Sequence, residues 1–147
     1  MAKNILERYV RIWIDDDTDT PRDLSADLVP GSLTGPGFTA DEIRMTGVSE
    51  QSEIYQADRK DVEVAGQFYL NDTLTTGAFT VLSAVQGTVI TVTIQFGTAA
   101  APTTGDPEYE GEHILLDAGV GIQGGAIVLN ARFKPGATTA PAWGTMA

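Results

Sequence analysis

The 147-residue chain contains no cysteine, which removes disulfide staples, thiolate zinc sites and cysteine nucleophiles from consideration. It has one histidine, His113, and no serine in a nucleophile-elbow setting to partner it, so these residues assemble no Ser-His-Asp triad. No apolar run approaches the ~18 residues of a membrane-spanning helix. The opening "MAKNILERYVRIWIDDD" lacks the apolar stretch and cleavage site of a secretion signal, so the expectation is synthesis in the cytoplasm. Basic residues are also scarce: 9 Lys and Arg stand against 20 Asp and Glu, a formal net charge of −11. A conventional nucleic-acid binder needs a basic stripe to neutralise phosphates, and this chain has none.

What is present favours β structure. A hydrophobic fraction of 42% supports a core in one domain of this length, and the chain is rich in Thr, Val and Gly. In Tyr9–Asp15, Val10, Ile12 and Ile14 alternate with Arg11 and Trp13. An acidic turn follows, then short apolar fragments broken by Pro-Gly and Gly-Pro. Ile43, Met45 and Val48 suggest a short strand, and the polar remainder to Lys60 reads as a long exposed loop. From Asp61 the alternation sharpens: Val62, Val64, Gly66, Phe68 and Leu70 share one face, and Glu63, Ala65, Gln67 and Tyr69 the other. After the turn at Asn71–Thr73, Phe79, Leu82 and Val85 fall at helical spacing, with Thr75 or Thr76 as N-cap and Gly87 as the stop. "TVITVTIQFG" alternates with Ile90, Val92, Ile94 and Phe96 inward. "EYEGEHILLDAG" and "AIVLNARFK" complete the strands, the latter with Ile127, Leu129, Ala131 and Phe133 opposed to Val128, Asn130, Arg132 and Lys134.

The motifs with chemical potential each have a simpler account. "GVGIQG" at Gly119–Gly124 has dinucleotide-fingerprint spacing, but the following residues alternate as a strand where a helix is required, so it reads as a glycine-rich strand connection. Asp15, Asp17 and Asp19 match the first ligands of a calcium loop, yet Thr20 stands at the glycine position and Ala26 at that of the bidentate Glu. Glu108, Glu110 and Glu112 share a strand face, as a glycosidase pair would, with only Tyr109 nearby as an aromatic platform. "NDT" fits a glycosylation sequon and serves as a turn. No enzyme, metal site or cofactor site emerges.

Four stretches in order carry a family resemblance: the first strand with its acidic turn and "RDLSADLVPGS"; "DVEVAGQFYLNDTLTTGAFTVL"; "TVITVTIQFG"; and "AIVLNARFKPGATTAPAWGTM". Together they resemble the tail tube proteins (major tail proteins) of long-tailed, especially non-contractile, bacteriophages; Phe38–Lys60 departs from that pattern. The resemblance implies a mainly β fold, a β-sandwich or barrel with one short α-helix, in a single domain spanning residues 1–147. It would have an extended N-terminal segment, a long loop near 47–60 and a C-terminal arm near 135–147. It further implies a structural virion protein, made in the host cytoplasm, that closes into hexameric rings stacked as a tail tube. Its partners would be further copies and the terminator, tape measure and tip proteins, with DNA passing through without specific binding and no cofactor. On a barrel of this type, the polar faces of three strands supply the lumen-facing candidates Glu63, Gln67, Thr91, Thr93, Gln95, Asn130 and Arg132. The 47–60 loop and the termini become candidates for ring-to-ring contacts. One alternative shares the composition, a capsid decoration or head–tail joining protein; another, a carbohydrate-directed β-sandwich, is disfavoured by few surface aromatics.

Overall fold

The alternation beginning at Asp61 is realised in a strand that buries Val62, Val64 and Phe68 and turns Glu63 and Gln67 the other way. The computed structural model describes residues 7–49, 51–97, 100–137 and 139–147. Along the chain come β1 (Val10–Asp15), β2 (Pro21–Asp23), a 3-10 turn (Ser25–Asp27), β3 (Thr34–Arg44) and β4 (Tyr55–Tyr69). A helix, α1 (Ala78–Val85), precedes β5 (Val89–Phe96), β6 (Pro107–Gln123), β7 (Ala126–Pro135) and β8 (Ala142–Thr145). All pairings are antiparallel, in the order β2-β1-β5-β6-β7-β4-β3, with β8 added on β6. The protein is mainly β with one α-helix, and its sheet does not close into a barrel.

The sheet folds over at β6. The first half of β6 pairs with β5 and β8, whereas its second half pairs with β7, with a register shift between Leu115 and Asp117. The two halves then face each other across one apolar cluster. Ile12, Ile14, Val92 and Ile94 come from one side, and Val64, Phe68, Leu129 and Phe133 from the other. Phe38 of β3 meets Tyr109 of β6 edge-on, 5.9 Å between centroids, although neither strand neighbours the other in the sheet. Helix α1 contributes Ala78, Val81, Leu82 and Val85 to the same core. Phe79, expected on that apolar face, lies one position off it and is exposed.

The helix start also differs from expectation. Gly77, not Thr75 or Thr76, is the N-cap and offers no side-chain acceptor. Asp27 takes that role from the 3-10 turn: it accepts from the Ala78 N–H at 3.1 Å and from Asn71 Nδ2. Asn71 Oδ1 in turn accepts the Thr73 N–H and hydroxyl, which closes the turn after β4. One carboxylate thus satisfies an orphan helix donor and anchors the chain leaving the sheet.

Three further differences concern strand extents. β4 begins at Tyr55, so residues 55–60, read as loop, are paired strand, and β3 runs from Thr34 to Arg44 beside them. "GVGIQG" is the continuation of β6 into a hairpin whose turn, Gly124–Gly125, has φ of 58° and 86°, the left-handed pair that suits a two-residue connection. The expected C-terminal arm contains β8, and Pro141 just before it packs directly over Gly111, where any side chain would collide with the proline. Residues 1–6 of the expected N-terminal segment lie outside the described residues.

Candidate functional site

The register places all seven candidate residues on the side of the sheet that faces away from the core, Thr91, Thr93 and Gln95 on one of its two halves and Glu63, Gln67, Asn130 and Arg132 on the other. On β4 and β7, Gln67 stands across from Asn130 and Ala65 across from Arg132, and on β6 Asp117 stands across from Arg132. On β5, Thr91, Thr93 and Gln95 stand across from Glu112, Glu110 and Glu108. Core-facing neighbours such as Val64, Val92, Ile94 and Ala131 are buried, while the seven candidates are partly or fully exposed. Period two alone achieves this, because each strand was read in the register that buries its apolar set.

Cross-strand bonds knit that face. Gln67 Nε2 donates to Asn130 Oδ1 at 2.8 Å, and Thr91 Oγ1 donates to Glu112 at 2.7 Å. Gln95 Nε2 donates to Glu108 at 2.9 Å while its Oε1 accepts from Trp13 Nε1 at 3.0 Å. Arg132 Nε donates to Asp117 at 2.6 Å, and its Nη1 lies 3.9 Å from Glu63. Lys134 bridges Asp61 at 2.6 Å and Glu63 at 3.7 Å. This charged ladder spans three strands. The Asp117 hydrogen bond and charge raise the Arg132 pKa further, and the Lys134 hydrogen bond lowers that of Asp61. Sequence reasoning selected Glu63 and Arg132 but missed Asp117, which the register shift in β6 brings to this face.

The face is acid-rich. Among the described residues, Asp15, Asp61, Glu63, Glu108, Glu110, Glu112 and Asp117 on it outnumber the basic Arg11, Arg132 and Lys134. The Asp15 pKa is raised by partial burial and then by the charges of Asp19 and Glu112, a sign that this region is crowded with like charge. Of the glutamates singled out for possible hydrolysis, Glu112 is bonded to Thr91 and Glu108 to Gln95 as part of this surface.

The remaining motifs resolve into structure. Asp16 organises the acidic turn: its carboxylate accepts the Thr18 N–H and hydroxyl, the Thr20 N–H and Arg22 Nε. The Thr18 hydroxyl is the leading cause holding its pKa well below the usual carboxylate range. Among the described residues, no three His, Cys, Asp or Glu side chains come together as a metal site. His113 is fully buried, its Nε2 2.7 Å from the Tyr109 hydroxyl and its Nδ1 2.9 Å from the Gly111 carbonyl. Burial lowers its pKa and raises that of Tyr109, so the ring is held neutral. No helix is long and apolar enough to cross a membrane among the described residues.

No protein-family model matches the chain, and no curated protein sequence matches it. Solved structures do. A chain in the cryo-EM structure of the anti-feeding prophage baseplate, 6-fold symmetrised, aligns with a TM-score of 0.65 at 9% identity over 97% of both chains. What the two share is the fold. The alignment runs along nearly the whole length of both chains.

Proposed function

We propose that this chain is a structural component of a phage-type tail particle, in which six copies close into a ring and rings stack into a tube. The observation that carries the reading is the fold likeness, along 97% of each chain, to a component of a sixfold-symmetrised prophage baseplate. The acid-rich polar face supports it. Glu63, Gln67, Thr91, Thr93, Gln95, Asn130 and Arg132 would line the channel, and a surface that repels phosphate would let DNA slide without being gripped. The exposed edge of β3 would be closed by neighbouring copies, since ring closure removes free strand edges. The terminator, tape measure and tip proteins would be its neighbours along the tail of the virion.

Negative-stain microscopy of the purified full chain tests this. Sixfold rings and tubes are the expected outcome. A persistent monomer that binds capsids or sugars would overturn it. A second reading is favoured by the baseplate origin of the matched chain: a terminal ring of the same fold that does not propagate. Sixfold rings that never lengthen would select that reading over the tube.

A further inference from the structure

The hydrogen bonds of the buried pair His113 and Tyr109 fix where each proton sits. The Gly111 carbonyl can only accept, so His113 Nδ1 carries the hydrogen of their 2.9 Å bond. Nε2 of the neutral ring is then the acceptor, and the Tyr109 hydroxyl donates to it at 2.7 Å. Among the described residues, every buried side-chain polar atom has a partner in this arrangement. One proton added at Nε2 undoes it. The ring becomes a donor at both nitrogens, the Tyr109 oxygen must accept, and the hydroxyl hydrogen has no other acceptor among the described residues. Nor does any carboxylate among them face the ring to offset its charge. Helix α1, β5 and β8 contain no titratable residue. On β6, Glu110 and Glu112 turn to the outer side, where Glu112 is bonded to Thr91, and on β7 Lys134 is bonded to Asp61 and Glu63 there. Lys60 of β4 lies beside Phe38 at the rim. The charge of Glu112 favours a protonated ring, but burial outweighs it.

What covers this pair is lightly held. Tyr109 meets Phe38 at 5.9 Å and Trp143 at 5.8 Å between ring centroids. Phe38 stands at the root of the two-stranded arm that β3 forms with the first residues of β4. Trp143 belongs to β8, four residues long, exposed throughout and paired with β6 alone. Pro141, just before β8, lies flat on Gly111, the residue whose carbonyl holds the imidazole. Phe38, Lys60, Pro141 and Trp143 also wall an open cleft of about 350 Å³, so solvent reaches the far side of this cover. We propose that β8 is an acid-released latch: protonation of His113 frees Pro141–Thr145 from β6 and bares the strand edge at Pro107–Glu110, while the rest of the sheet stays folded. Opening lets water accept the orphaned hydroxyl hydrogen and solvate the charged ring. The closed form resists the proton and the open form takes it at the ordinary value. Closure is therefore complete above 6.5 and declines as pH falls to and through the lower closed-state value. The consequence is a sheet edge that is capped near neutrality and able to accept another strand in acid. The latch works within one copy and does not depend on the assembly reading.

Amide exchange of the full-length protein between about pH 7.5 and about pH 5, corrected for the intrinsic effect of pH on exchange, tests the latch. The expected result is protection in β8 that falls by up to about tenfold per pH unit below 6.5, while Val62–Phe68 keeps its own. The chain has a single histidine, so its C2 proton resonance is unambiguous and is expected to titrate over the same range. Protection in β8 that ignores pH would overturn the proposal, as would protection lost in step with Val62–Phe68, which is acid unfolding of the whole domain. His113→Gln keeps an acceptor for Tyr109 and cannot be charged in this range, so it is expected to hold β8 closed throughout. Release that persists in His113→Gln would belong to carboxylates such as Asp106 or Glu108 and would sink the latch. Should that variant fail to fold, the native chain still decides: a histidine midpoint separate from that of β8 release refutes the coupling, and a shared one upholds it.

Discussion

The two halves of β4 obey different rules. From Val62 to Phe68 every second side chain is buried, and the strand has β7 on one edge and β3 and Leu28 on the other. From Tyr55 to Asp61 the described side chains are exposed whichever way they point, and β3 is the single partner. Both halves are hydrogen-bonded strand, the outer half on one edge only and the inner half on both. The inner half also has a second layer underneath, so hydrogen bonding makes a strand here while burial makes it stable.

The largest effect expected to bear on this contrast is Phe68→Ala, which removes a fully buried ring from the centre of the core. It is expected to cost about 3–5 kcal/mol in urea unfolding. A loss under ~1 kcal/mol would mean that the inner half is not the stabilising one. A smaller effect comes from His113. Its folded pKa is lowered by burial, so its contribution is fully present above the ordinary value of 6.5 and is lost as pH falls through the lower folded value. Unfolding midpoints taken at about pH 7.5 and about pH 5 are expected to fall for the native chain and to change less for His113→Gln. Asp27→Ala removes the cap on α1 and the partner of Asn71 and is expected to cost about 1 kcal/mol, read as a lower thermal midpoint. Smallest of all, Tyr55→Ala in the arm is expected to shift stability by no more than about 0.5 kcal/mol. Amide exchange should be fast through residues 55–60 and slow through 62–68 in the unassembled protein; equal protection in both would erase the distinction.

The same contrast explains what the sequence made legible. β1, β5, β7 and the inner half of β4 sit on a core, so their apolar residues alternate and their polar faces could be named in advance, including all seven candidates. "YQADRK" carries no alternation because neither face of the arm is buried, and it therefore read as loop. β6 read as a strand followed by a connection because Gly119 and Gly121 interrupt its apolar pattern where it passes beyond the core. Asp117 reached the polar face through a register shift that no periodicity announces. Asp27 caps a helix some fifty residues away, a relationship made only by folding. Ile127, grouped with Leu129, Ala131 and Phe133 by alternation, is exposed, as is Ile122 across from it.

The ladder formed by Asp117, Arg132, Glu63, Lys134 and Asp61 has a consequence for anything that travels across the polar face. Arg132 and Lys134 are each held by carboxylates of the same molecule, and Arg11 by the carbonyls of Arg8 and Val10. If this face lines a channel, as proposed, a passing polyanion would meet repulsion without a foothold. To bind a phosphate, either ladder cation would first have to give up its own carboxylate. The energy profile along such a surface is smooth as well as unfavourable, and low roughness, rather than low affinity alone, is what allows a long charged polymer to keep moving.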